Sequence, residues 1–104
     1  MISMRSQEKI PGGKLLCVEV WPETSGPGDP GHGKVGRVRI SGDFFLHPEE
    51  AIEGMESSLI GLRLDSNESD IEAAIGASLA RSNAVLIGAF SSDVARLFVK
   101  AVKG

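Results

Sequence analysis

The chain has 104 residues, enough for one domain and not for two, and at 41% hydrophobic and 24% charged it has the balance of a folding chain rather than a disordered one. Eleven Lys and Arg against fourteen Asp and Glu give a formal net charge of -3, which argues against a general nucleic-acid or anionic-membrane binder, because such binders need a surplus of phosphate-neutralising cations. Cys17 is the single cysteine, so one chain forms neither an internal disulfide nor a multi-cysteine metal cage, and no apolar run approaches the ~20 residues that span a bilayer.

Met1 to Ile10 alternates polar and charged residues, unlike a secretory signal, and reads as a flexible lead-in to a domain over 11–104. A reduced, cytoplasmic setting is the expectation. Pro11-Gly12-Gly13 marks a turn. Lys14 to Trp21, KLLCVEVW, is a strand with Leu16, Val18 and Val20 on one face and Leu15, Cys17, Glu19 and Trp21 on the other. Residues 22–33, PETSGPGDPGHG, form a long hairpin loop, since such a Gly/Pro stretch holds neither helix nor buried face. KVGRVRIS, residues 34–41, alternates again with Val38 and Ile40 inward and Arg37 and Arg39 outward, an antiparallel partner for the first strand.

Pro48 with Glu49 and Glu50 behind it predicts a helix start, and Ile52, Met55, Leu59 and Ile60 form its apolar stripe up to a left-handed cap at Gly61. Ser69, with Glu72 three residues on, predicts a capped second helix whose inward residues are Ile71, Ala74, Ile75 and Leu79. AVLIGAF, residues 84–90, reads as a short extended piece or buried loop. Ser91 or Ser92 caps a last helix with Val94, Leu97, Phe98 and Ala101 inward. The predicted fold class is α+β, a small antiparallel sheet with about three helices packed on one face. Charge divides along the chain. Residues 1–41 hold six cations against four acids, and 42–104 hold five against ten, which predicts a basic sheet edge and an acidic helical side.

Two segments carry glycines and charges that packing alone does not require. In Lys9-Ile10-Pro11-Gly12-Gly13-Lys14 the glycines let backbone N–H groups approach an anion that the lysines neutralise, or the segment is a tight turn with solvated lysines. It lacks the pattern of a nucleotide-binding P-loop. In Ser41-Gly42-Asp43-Phe44-Phe45-Leu46-His47-Pro48-Glu49 either Asp43 is a turn residue and the aromatics are packing, or Gly42 and Asp43 face a partner's site with the aromatics as anchors. His32 and His47 have no i, i+4 partner, so no metal site is expected. Cys17, inside a strand, reads as a small hydrophobe, and Glu49, Glu50, Glu53 and Glu56 as a solvated acidic face. No complete active site assembles.

KIPGGKLLCVEV, then GRVRISGDFFLHPEEAIEGMESSLIG after a variable loop, resembles the small accessory domain of lipoate–protein ligases. It is most similar to the separate small subunit of the two-part archaeal enzymes. The motifs cover roughly residues 9–61; residues 62–104 match in layout, and the loop at 22–33 is longer than the family's. The resemblance implies a fold similar to SufE- and IscU-type assembly proteins. It also implies a two-step reaction, in which ATP and lipoate give lipoyl-AMP and pyrophosphate, after which the lipoyl group passes to a lysine of an acceptor domain.

The family's large subunit supplies the lipoate pocket, the nucleotide site and the catalytic lysine. This chain is therefore expected to be non-catalytic alone and to bind no cofactor alone, with ATP, Mg2+ and lipoate entering only in the complex with that large subunit. The resemblance implies that Lys9, Gly12, Gly13 and Lys14, with Ser41, Gly42, Asp43, Phe44, Phe45, His47, Pro48 and Glu49, face the partner near its adenylate. Lipoyl-acceptor domains are the expected transient partners, with no nucleic acid and no membrane. A sulfur or iron–sulfur assembly protein of the same fold, or an interaction adaptor, is the alternative; the first needs a reactive thiolate, for which only Cys17 is on offer.

Overall fold

The computed structural model describes residues 3–12, 14–23 and 33–104. The elements run β1 (Met4–Ile10), β2 (Lys14–Pro22), β3 (Val35–Gly42), β4 (Phe45–His47), α1 (Ala51–Ser57), α2 (Glu68–Arg81), β5 (Val85–Ile87) and α3 (Ser91–Lys103). β2 is central in an antiparallel sheet of order β1-β2-β3, and β4 pairs with β5 in a second, two-stranded sheet. The α+β class and the single helical layer hold. α3 packs on β1 and β2, α1 on β3, and α2 lies against α3 and α1. Gly13 and residues 24–32, including most of the expected hairpin loop and His32, lie outside the described residues.

Leu16, Val18 and Val20 of β2 and Val38 and Ile40 of β3 are buried on the helical side, as their alternation predicted. They meet Met55 and Leu59, then Ile71 and Ile75 of α2, then Val94, Leu97, Phe98 and Ala101 of α3 in one core. Gly61 takes φ +87 and donates its N–H to the Val35 carbonyl at 2.8 Å, so the turn after α1 closes along β3. Val35 in turn donates to Leu62 at 2.9 Å. Glu56, expected on a solvated face, instead reaches the same strand and accepts the Ile40 N–H at 2.8 Å. An edge strand is thereby covered by a loop and a carboxylate.

Residues 4–10, expected as a flexible lead-in, are a full strand paired with β2 from Met4↔Val20 to Ile10↔Lys14. Its inward positions include Ser6 and Glu8, so no apolar alternation advertises it. Both polar groups find partners on α3, about ninety residues away. The Ser6 hydroxyl donates to the Leu97 carbonyl at 2.6 Å. Glu8 accepts from Arg96 at 2.7 Å and Lys100 at 2.6 Å, and Arg96 also meets Asp93 at 3.1 Å.

Those two cations hold the Glu8 carboxyl below its usual range. A depressed carboxylate stabilises the fold fully above its unfolded value, near 4.3, and the contribution fades as pH falls through the lower folded value. Glu8→Gln is therefore expected to cost about 1 kcal/mol at neutral pH and to flatten the acid limb of the stability profile below pH ~4. Urea unfolding from pH 7 down to 3 checks this. An acid limb as steep in Glu8→Gln as in the parent would exclude the network as its source.

Three helix starts shift from the predicted ones. Pro48 lies ahead of α1 in a run of turns in which the Pro48, Glu49 and Glu50 carbonyls accept from Ala51, Ile52 and Glu53, and the helix proper begins at Ala51. α2 is capped by Asn67, whose side chain accepts the Asp70 N–H at 2.8 Å, two residues before the expected Ser69. α3 begins at Ser91 with Phe90 as its cap residue, and the Asp93 carboxylate closes the turn by accepting the Phe90 N–H at 2.9 Å.

Candidate functional site

The two motif segments meet because β2 and β3 are antiparallel neighbours. Leu16 pairs with Gly42, which brings the start of β2 against the end of β3. Asp43 then clasps that junction from both sides. Its N–H donates to the Leu15 carbonyl at 2.7 Å, and its carboxylate accepts the Leu15 N–H at 3.2 Å. Gly42 makes the approach possible. A Cβ there would lie 2.2 Å from the Leu15 oxygen and 2.9 Å from the Leu16 Cα, and its φ of +147 favours glycine as well.

A cleft of about 550 Å³ opens at this junction, lined by Gly12, Lys14, Gly42, Asp43, Phe44 and Phe45. Gly12 turns the chain into β2 with φ +95 and open space around its Cα. Lys14 is exposed and forms no ion pair among the described residues. A second hollow of about 290 Å³ shares Gly42, Phe44 and Phe45 and adds Ser41, Glu49 and Ile52. Phe45 thus stands between two concavities. Lys9 is not brought to the cleft: strand alternation turns it to the opposite face of the sheet, beside Leu15.

The aromatic pair divides its work. Phe44 packs on the core, whereas Phe45 is 70% exposed. β4 pairs Phe45 with Ile87 and His47 with Val85, so those four side chains share the outer face while Leu46 and Leu86 face inward. Ile87 is 55% and Val85 54% exposed, and Phe90 just beyond is 75% exposed. Large apolar groups left in water at such density mark an interaction surface. Sequence reading took 84–90 as a short extended piece or a buried loop; the pairing of β4 with β5 that turns Val85 and Ile87 outward is a tertiary contact with no mark in the sequence. His47 is exposed on this ridge, and Pro48 serves the turn into α1. Among the described residues no group of three His, Cys, Asp or Glu side chains is placed to hold a metal ion, and no helix is long and apolar enough to cross a membrane.

The arrangement offers a cation, a glycine-lined approach and an apolar ridge along one edge. Among the described residues it holds no nucleophile–base pair. Cys17 is buried within β2, where its sulfur accepts from the Arg5 guanidinium at 3.1 Å. Alkylation of native Cys17 is expected to be at least tenfold slower than in urea-unfolded chain, since the thiol is only 8% exposed and lies against the Arg5 guanidinium. Equal rates would contradict the enclosure.

No protein-family model matches the chain, and no curated protein sequence is significantly similar to it. Among solved structures it is similar to a chain of an archaeal lipoylation system from Thermoplasma acidophilum, described as a bi-partite lipoate protein ligase and its E2 lipoyl domain. The two are 22% identical with a TM-score of 0.57, over 98% of this chain and 93% of the other. At that identity the likeness is one of fold.

Proposed function

We propose that this chain is the accessory subunit of a two-part lipoate–protein ligase, seated over the nucleotide cleft of a separate catalytic subunit. The observation that carries the reading is the convergence of Lys14, Gly42 and Asp43 on one cleft beside an exposed apolar ridge. The fold shared with a chain of a lipoylation system supports it. The ridge of Phe45, Val85, Ile87 and Phe90 anchors the partner, and the glycine-lined rim lies close against it.

Lipoyl-AMP is a mixed anhydride open to hydrolysis, so its site must exclude water during activation and then admit an acceptor domain. A separate small cap answers both needs by closing for one step and shifting for the next. Lys14 adds positive charge near the triphosphate, where a low-dielectric cleft strengthens it. Asp43 acts through the backbone, holding the rim in place. ATP, its Mg2+ and lipoate are bound by the catalytic subunit, and lipoate activation precedes transfer to a lysine of the acceptor.

Titration with the catalytic subunit tests the assignment. The parent chain binds at one to one, and Phe45→Ser with Ile87→Ser weakens binding about 100-fold, as loss of two central apolar anchors does. Lys14→Ala binds nearly as well as the parent and lowers ATP–pyrophosphate exchange about tenfold. Unchanged affinity in the double variant removes the ridge from the interface, and unchanged exchange in Lys14→Ala removes the charge role.

A further inference from the structure

All three helices lie on one side of the three-stranded sheet, and among the described residues no element covers the other side. Alternation puts Arg5, Lys9, Arg37 and Arg39 on that open face, and within the three strands Glu19 is the acid that shares it. The register sets Glu19 in a row between Arg5 and Arg39. Its carboxylate is occupied by the Ser3 hydroxyl at 2.6 Å, and among the described residues neither arginine is ion-paired. Uncharged groups brace the guanidinia instead. Arg5 donates to the Cys17 sulfur and to the Gln7 side chain, each at 3.1 Å, and Arg37 stacks over Trp21 at 4.8 Å. A polar hollow of about 270 Å³ lies between Arg5 and Arg39 and is lined as well by Cys17, Glu19 and Ser41.

Arg5 and Arg37 are braced by these contacts and lose little side-chain freedom on meeting a carboxylate, and their planar forks match one in two contacts. Glu19 alone offsets the cations within the strands of this face. We propose that this open sheet face docks a carboxylate-rich surface of a partner protein. The inference stands apart from the ligase reading, since the face is turned away from the core side and none of its arguments uses the cleft.

Charge decides between an acidic protein and a nucleic acid. Residues 42–104, which form the helical side, hold ten acids against five cations and would repel a polyanion extending past the sheet. A few arginines around Glu19 neutralise too few phosphates to bind one well. Trp21, the only tryptophan, is already covered by Arg37 and offers no platform for a base.

That same Trp21 reports binding through its emission. With a short oligoglutamate peptide as probe, too short to extend past the sheet, saturable quenching is expected at low ionic strength and its loss by about 0.3 M salt. Arg5→Gln with Arg39→Gln is expected to weaken binding about tenfold, and Glu19→Gln to tighten it several-fold. Glu19→Gln keeps an acceptor for Ser3, so it remains informative if the arginine variant fails to fold. Three results would overturn the proposal: no binding of the peptide, tighter binding of a single-stranded oligonucleotide, or affinities unmoved by Glu19→Gln.

Discussion

Gly42→Ala is expected to destabilise the protein by about 3 kcal/mol or more, the largest effect of any single methyl added at the site. The new carbon would sit 2.2 Å from the Leu15 carbonyl oxygen and 2.9 Å from the Leu16 Cα. Both are backbone atoms of the central strand, so no side chain can swing aside to make room. Relief requires parting β3 from β2 at their last pair, which also breaks the two hydrogen bonds of Asp43 with Leu15. Gly12→Ala is the matched control. Its φ of +95 is also unfavourable to alanine, but nothing lies within 4 Å of the added carbon, so about 1 kcal/mol is expected. Urea denaturation of both variants separates close approach from backbone strain. Equal losses would mean that the junction is not tight.

Phe98→Ala is expected to remove about 3–5 kcal/mol and to lower the thermal midpoint by on the order of 20 °C. Phe98 is fully buried and is the largest such side chain in the core, on the helix that covers β1 and β2. A chain of this size has only about 5–15 kcal/mol in all, so the variant should be partly unfolded near 37 °C. Calorimetry reads the shift. A midpoint within a few degrees of the parent would mean that α3 does not close the core.

The sheet and helices were legible wherever apolar periodicity was clean. Leu16, Val18 and Val20 alternate, and Val94, Leu97, Phe98 and Ala101 recur at helical spacing, and all are buried. β1 was not legible because its inward face carries Ser6 and Glu8, whose partners on α3 are named only by tertiary contact. A polar residue facing inward looks like a loop residue until its partner is known. Glu56 was misjudged for the same reason, since its target is the backbone N–H of Ile40 and a backbone donor leaves no mark in sequence.

The cleft was half legible. PGGK and SGDFF stood out by their glycines, and antiparallel pairing brings them together, but the parity of β1 sends Lys9 to the far face. Val85, Ile87 and Phe90 were invisible as surface residues, because a short apolar run reads as core unless the pairing of β4 with β5 is known.

ATP–pyrophosphate exchange by the catalytic ligase subunit, assayed with and without this chain in the presence of lipoate, bears most directly on the central claim. Completion of the nucleotide cleft from outside predicts exchange that rises at least tenfold with the chain present and saturates at one equivalent. The same rate in both tubes, with the two proteins shown to be bound, would contradict it.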